Sequence, residues 1–101
     1  MEVKAIQEQD NTIILVEKDR MIGVENEDIQ GLVKDSIAKG SKSIVIDLGK
    51  VKYISSWGIG ILVQTYAACQ EKNIKFNLRN VQSDVLNILN QVKLTSLFSI
   101  K

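Results

Sequence analysis

The sequence predicts an α/β domain built on one mixed β-sheet, with an N-terminal hairpin followed by alternating helices and strands. Three observations point there. The short apolar segments "VKAI" and "TIILV" are separated only by the polar stretch "QEQDN". Beyond residue 26, apolar residues recur in turn with helical and with strand spacing. Between two of those helical stretches Ile44, Val45 and Ile46 stand consecutively, as in a strand covered on both faces. At 101 residues and 11.3 kDa the chain has material for one core and not for two, so residues 1–101 read as a single domain.

The hairpin turn is expected to contain Asp10 and Asn11, residues suited to tight reversals. The stretch "EKDRMIGVEN" that follows shows neither period and is read as irregular. A helix is then expected from Asn26, whose side chain can cap it while Glu27 and Asp28 face the positive end of its dipole. Ile29, Leu32, Val33 and Ile37 share one face, and Lys39 with Gly40 ends the element. "SIVIDL" is the expected central strand, with helices on either side of it.

A second helix is predicted from near Ser56 to about Lys72, with Ile59, Leu62, Val63, Tyr66 and Cys69 as its buried stripe. "IKFNLRNV" alternates cleanly and reads as a strand with Ile74, Phe76 and Leu78 on one side, nearer a sheet edge. Ser83 is the expected cap of a third helix carrying Val85, Ile88, Leu89 and Val92, and "SLFSI" forms a short last strand. Alternating units of this kind require parallel strands with right-handed crossovers, so the antiparallel hairpin makes the sheet mixed.

Composition removes several function classes. A net charge of +1 with no basic tract offers nothing to attract nucleic acid. Hydrophobic residues at 45% and charged residues at 25% are globular values. With no signal-like start and no apolar run of spanning length, a cytoplasmic protein without membrane insertion is expected. Cys69, the single cysteine, has no disulfide partner and reads as a small buried hydrophobe. The chain has no histidine, which excludes a Ser-His-Asp triad and makes a zinc site very hard to build. No metal, cofactor or catalytic residue is expected.

In open α/β sheets, sites lie beyond the carboxyl ends of strands, and the loop after "SIVIDL" delivers "ISSWGIG" to such an end. Ser55 or Ser56 is placed to cap the helix, and glycines there permit close helix-to-strand packing. Trp57 falls in the first helical turn, off the stripe begun by Ile59, where an exposed indole would anchor another protein. A nucleotide fits this corner poorly. "GIG" lacks the third glycine of the dinucleotide fingerprint, there is no P-loop lysine, and Trp57 blocks close approach.

The run "IVIDLGKVKYISSWGIGILV" resembles the STAS domain of bacterial anti-sigma factor antagonists, and the similarity in element order covers nearly all of the chain. Asp47 and Leu48 match the family's strand-ending "DL". Ile54, Ser56, Gly58, Ile59 and Gly60 match its apolar-Asp-Ser-Ser/Thr-Gly-apolar-Gly segment. Ser55 stands where the family usually has Asp, and Trp57 where regulated members carry a phosphorylatable Ser or Thr.

The resemblance implies a non-catalytic, protein-binding regulator in a partner-switching pathway, whose partner is an anti-sigma factor with a kinase-type fold. In regulated members a phosphate at the corner, bringing nearly two negative charges, releases that partner. Trp57 cannot accept phosphate, so this chain is expected to bind without that control or to use Ser56 as its phosphoacceptor. The expected partner-binding residues are Ser55, Ser56, Trp57 and Gly58, with Asp47 holding the loop. Trp57 is the anchor, Gly58 allows close approach, and Ser56 caps the helix. Many relatives continue into a helix after the last strand whereas this chain stops at Lys101, so that helix is expected to be missing, and a homo-oligomer through the uncovered surface is one possibility. Two other readings stay open: an accessory subunit of a lipid-transport or larger signalling complex, and a small nucleotide-binding domain using Gly58 to Gly60.

Overall fold

Two residues reverse the chain between β1 (Val3–Glu8) and β2 (Asn11–Val16). They are Gln9, at a φ of 58°, and Asp10. The expected turn is therefore displaced by one residue, since Asn11 already pairs with Glu8 and with Ser43. The structure, a computed structural model, describes residues 2–100, with side chains as far as Phe98. The expectation about a helix after the last strand falls at Lys101, outside the described residues.

The remaining elements are β3 (Arg20–Met21), α1 (Asn26–Ala38), β4 (Ser43–Asp47), β5 (Tyr53–Ile54), α2 (Ser56–Glu71), β6 (Lys75–Arg79), α3 (Ser83–Gln91) and β7 (Ser99–Ile100). The main sheet has the order β1-β2-β4-β6-β7, antiparallel between β1 and β2 and parallel thereafter. The mixed sheet with its crossover helices is thus as the sequence predicts. The segment read as irregular instead contains β3, which pairs in parallel with β5 as a separate two-stranded sheet.

β4 lies at the centre, but its consecutive apolar run is divided between two unlike faces. Ile44 and Ile46 are fully buried with Val3, Ile14, Val16, Phe76 and Leu78. That same cluster takes in Ile29 and Val33 of α1, Ile61, Leu62 and Cys69 of α2, and Val85 and Leu89 of α3. All three helices therefore pack on one face of the sheet, and the expectation of helices on both sides does not hold. On the other face Val45 is only half-buried and Ile6 is exposed, with Ile13 shielded between them by register.

The helix stripes follow the expected period with shifts in detail. On α2 the buried positions are Gly58, Ile61, Leu62, Thr65 and Cys69, with Ile59 and Tyr66 packed at the flanks and Val63 exposed. Thr65 is tolerated in the core because its hydroxyl donates to the Ile61 carbonyl and accepts from Gln30 on α1. Burial pushes the Cys69 thiol up to about 11, which leaves it an unreactive core residue. Tyr66, Phe76 and Phe98 meet edge-to-face and close the core at the β6 end.

Two of the expected caps are corrected. Asn26 is inside α1, the cap position belongs to Glu25, and the Asn26 Oδ1 makes no hydrogen bond. Ser83 is likewise inside α3, whose cap position is Gln82, and neither helix has a side-chain cap bond. Gly40, at a φ of 88°, ends the α1 region as expected.

Candidate functional site

The β4–α2 connection is a folded plug rather than a free loop. Leu48, Val51 and Ile54 are all buried in the core, so the backbone between them is held at three points. Asp47 fastens its start: one carboxylate oxygen accepts from the Gly49 N–H (2.8 Å), the other from Arg79 Nε (2.8 Å) and Asn80 Nδ2 (3.0 Å). Burial alone would raise the Asp47 carboxyl, yet the Arg79 guanidinium and these amide donors hold it below its ordinary value. The small β3–β5 sheet fastens the end of the loop, where the Lys52 and Tyr53 N–H groups donate to the Asp19 carbonyl and the Ser55 N–H to the Met21 carbonyl.

Ser55 is extended (φ −88°, ψ 173°) and its hydroxyl accepts from the Gly58 N–H at 3.1 Å. It is therefore the N-cap of α2, and Ser56, expected in that role, is the first helical residue with an exposed side chain. Gly58 faces inward: a Cβ there would lie 2.3 Å from the Met21 carbonyl oxygen and 2.8 Å from Ile54 Cγ1. The close approach it permits is that of the chain's own β3, which corrects the expectation that it admits a partner.

Trp57 points the other way. It is 79% exposed, the most exposed large hydrophobic residue among those described. Its root is nonetheless rigid, because its Cβ packs directly on Gly23, which has a φ of 115°. Beside the indole runs a cleft of about 270 Å³ lined by Gly23, Asn26, Trp57, Gly60, Ile61 and Gln64.

The structure thus brings Ser55, Ser56, Trp57 and Gly58 together at one corner. Asp47 lies apart from it, in a groove with Glu17 and Lys50. A larger groove of about 550 Å³ between the end of α2, β6 and Leu97 is far along α2 from Trp57 and gathers no charged cluster.

Sequence reasoning missed the other half of the corner. Val24 (74% exposed), Ile22 and Tyr53 also stand exposed there, Ile22 and Val24 flanking the glycine on which Trp57 rests. Arg20 lies over the Tyr53 ring at 5.0 Å. Behind them Glu25 is buried, accepting from the Ile22 N–H (3.1 Å) and Gly23 N–H (2.9 Å) and from Lys18 Nζ (2.6 Å). The available signal was two apolar residues around a glycine in a stretch without a period. Among the described residues no group of acidic, Cys or His side chains could hold a metal, and no helix is long and apolar enough to cross a membrane.

Comparison with known proteins agrees with the fold. A family model described as the STAS domain matches residues 4–101. Solved structures with the same fold include an anti-sigma factor antagonist from Mycobacterium paratuberculosis, at a TM-score of 0.78 and 18% identity, covering 97% of this chain and 82% of that one. The phosphorylated form of the Bacillus cell fate determinant SpoIIAA aligns at a TM-score of 0.73 and 12% identity, over 98% of this chain and 90% of that one. A sulfate transporter family protein from Wolinella succinogenes aligns at 0.80 and 15% identity, over 93% and 75%. None of the curated protein sequences compared with the chain matches it.

Proposed function

The chain belongs to the STAS domain family, whose members are non-catalytic regulatory proteins, and from that premise we propose that it is an anti-sigma factor antagonist-like module that binds another protein through the corner at residues 54–60. The partner is an anti-sigma factor with a kinase-type fold, and the association takes place in the cytoplasm. Trp57 is the anchor, held at the start of α2 by the Ser55 cap and by Gly23. The observation that carries the reading is the exposure of that one indole on a rigid backbone, since a protein that only needed a stable core would gain by covering it.

Ser56 is exposed at the same helix start and can receive a phosphate there, where the helix dipole favours negative charge. In this reading Trp57 replaces the usual acceptor, so binding is either constitutive or governed from Ser56. Intact-mass measurement of the chain purified from its own cells separates the two: a phosphate on Ser56 supports control, and an unmodified chain in complex supports constitutive binding.

Affinity purification with the wild-type chain and with Trp57→Ala tests the site. A partner recovered by wild type and lost with Trp57→Ala supports the proposal, and equal recovery removes Trp57 from the interface. The likeness to a sulfate transporter family protein favours a second reading, an accessory domain of a transport complex. Gene neighbourhood discriminates, through a kinase-type anti-sigma gene in one case and a permease gene in the other.

A further inference from the structure

One long edge of the main sheet is open. β1 stands first in the order β1-β2-β4-β6-β7, so only one of its sides is paired, with β2. Edge strands that stay single are usually kept short or are broken by a bulge or a proline. β1 has none of these devices: it runs for six residues in unbroken one-to-one register, and the chain contains no proline. Helix α1 does not cover the edge, since Ala5 and Gln7 are exposed although they share the helix-bearing face with their partners Ile14 and Thr12.

The ladder fixes which backbone groups point outward. The Glu2 carbonyl accepts from the Glu17 N–H across the hairpin, and the direction of bonding alternates along an antiparallel pair. Even-numbered residues of β1 therefore bond inward to β2, and the N–H and C=O groups of Val3, Ala5 and Gln7 point outward, where no strand lies beside them among the described residues.

This strand is complementary to itself. Two copies laid antiparallel about a two-fold axis at Ile6 bring Ala5 opposite Gln7, so that the outward groups exchange hydrogen bonds, and bring the two Ile6 side chains together at a non-hydrogen-bonded position, where side chains stand closest. Ile6 is 42% exposed and continues the row formed on the open face by buried Ile13 and half-buried Val45. Pairing at Ile6 carries that apolar row across the axis into the second copy. The same register sets Lys4 opposite Glu8 at both ends. Glu8 has no ion-pair partner among the described residues, and Lys4, although it touches Glu17, keeps 59% of its side chain exposed. Sliding the copies by two residues, the smallest step that keeps the outward groups paired, sets Ile6 opposite Lys4 or Glu8 and loses both ion pairs.

We propose that β1 is a dimerisation edge, to which a second copy of this chain adds its own β1 antiparallel about Ile6, joining the two sheets into one. The contact is the same on both copies and so closes at two. The inference stands apart from the Trp57 reading, because β1 contributes no residue to that corner, and either can fail alone.

The test measures the mass of the full chain by sedimentation over a concentration series, with Lys4→Glu and Glu8→Lys variants whose fold is checked by circular dichroism. The wild-type mass should double with concentration. Each variant alone sets like charges opposite each other at both ends and should weaken the dimer about tenfold or more. An equimolar mixture of the two variants restores opposite charges at both ends and should recover the dimer, a rescue that a merely damaged fold would not give. Ile6→Cys should form an interchain disulfide under mild oxidation, because the two positions face each other at bridging distance, and Ala5→Cys should not. Cys69 is buried and gives no background.

A wild-type chain still monomeric at about 1 mM overturns the proposal. So does a dimer indifferent to both charge variants, or one crosslinked through Ala5→Cys and not through Ile6→Cys, since either places the contact elsewhere. An Ile6→Cys chain that crosslinks in lysate of its own cells to another polypeptide in preference to itself makes β1 an edge for a foreign strand and overturns the assignment to a second copy.

Discussion

Gly23 and Trp57 are packed so closely that a Cβ on the glycine would stand 2.7 Å from the Cβ of the indole side chain. The β3–α1 loop and the start of α2 are thereby held against each other, and the most exposed large hydrophobic residue among those described stands on that contact.

Gly23→Ala therefore suffers twice, from the contact with Trp57 and from a φ of 115° that side chains rarely adopt. We expect a loss of about 1–3 kcal/mol in urea unfolding and a shifted Trp57 emission in the folded protein. Unchanged emission and stability would contradict the close packing.

Two glycines of α2, two residues apart, should respond in opposite directions. Gly58→Ala places a methyl 2.3 Å from the Met21 carbonyl oxygen, which is fixed backbone, and 2.8 Å from Ile54 Cγ1, and should destabilise by about 3 kcal/mol or more. Gly60→Ala meets nothing within 4 Å in the middle of a helix and should stabilise by about 0.5–1 kcal/mol. Denaturation midpoints of the two variants check the sign.

The two serines of the corner are separable in the same way. Ser55→Ala removes the acceptor for the Gly58 N–H and should lower stability by about 1 kcal/mol. Ser56→Ala, at an exposed first helical position, should change it by less than about 0.5 kcal/mol. Equal effects on thermal unfolding would mean that the cap is shared.

Asp47 sets an acid limb of stability. Its folded carboxyl is held below the ordinary 3.8 by Arg79, the Gly49 N–H and Asn80 despite the opposing effect of burial. A depressed carboxyl contributes stability that is fully present above the unfolded value and is lost as pH falls through the lower folded value. Urea midpoints should thus fall below about pH 4, in the range where carboxylates protonate. Asp47→Asn should be less stable at pH 7 and show a shallower decline. Parallel curves for the two proteins would remove Asp47 from this role.

Much of the architecture was legible in the residues because it is written locally. The start of α2 at Ser56 and its end by Lys72 followed from a serine pair before an apolar stripe, and α2 spans Ser56–Glu71 with Lys72 as its C-cap. The alternation in residues 74–79 likewise marked β6 and its buried Phe76 and Leu78. Where the reading failed, two answers were locally equivalent. Asn26 and Ser83 are good capping residues by type, but the chain enters α1 and α3 one residue earlier, at Glu25 and Gln82, in directions set by the loops before them. β3 escaped notice because a two-residue strand has no period, and it exists only through Tyr53 and Ile54 more than thirty residues away.

The succession of hairpin, three helices and intervening main-sheet strands, and the placing of an indole at the head of α2, were determined by the sequence itself, because periodicity and local residue type act between near neighbours. Only the tertiary structure decided that one face of the sheet takes all three helices, that Gly58 meets Met21 rather than a partner, and that Glu25 goes in while Val24 stays out. Those outcomes depend on register and contact between segments remote along the chain, where each residue's fate is set by what the fold brings opposite it.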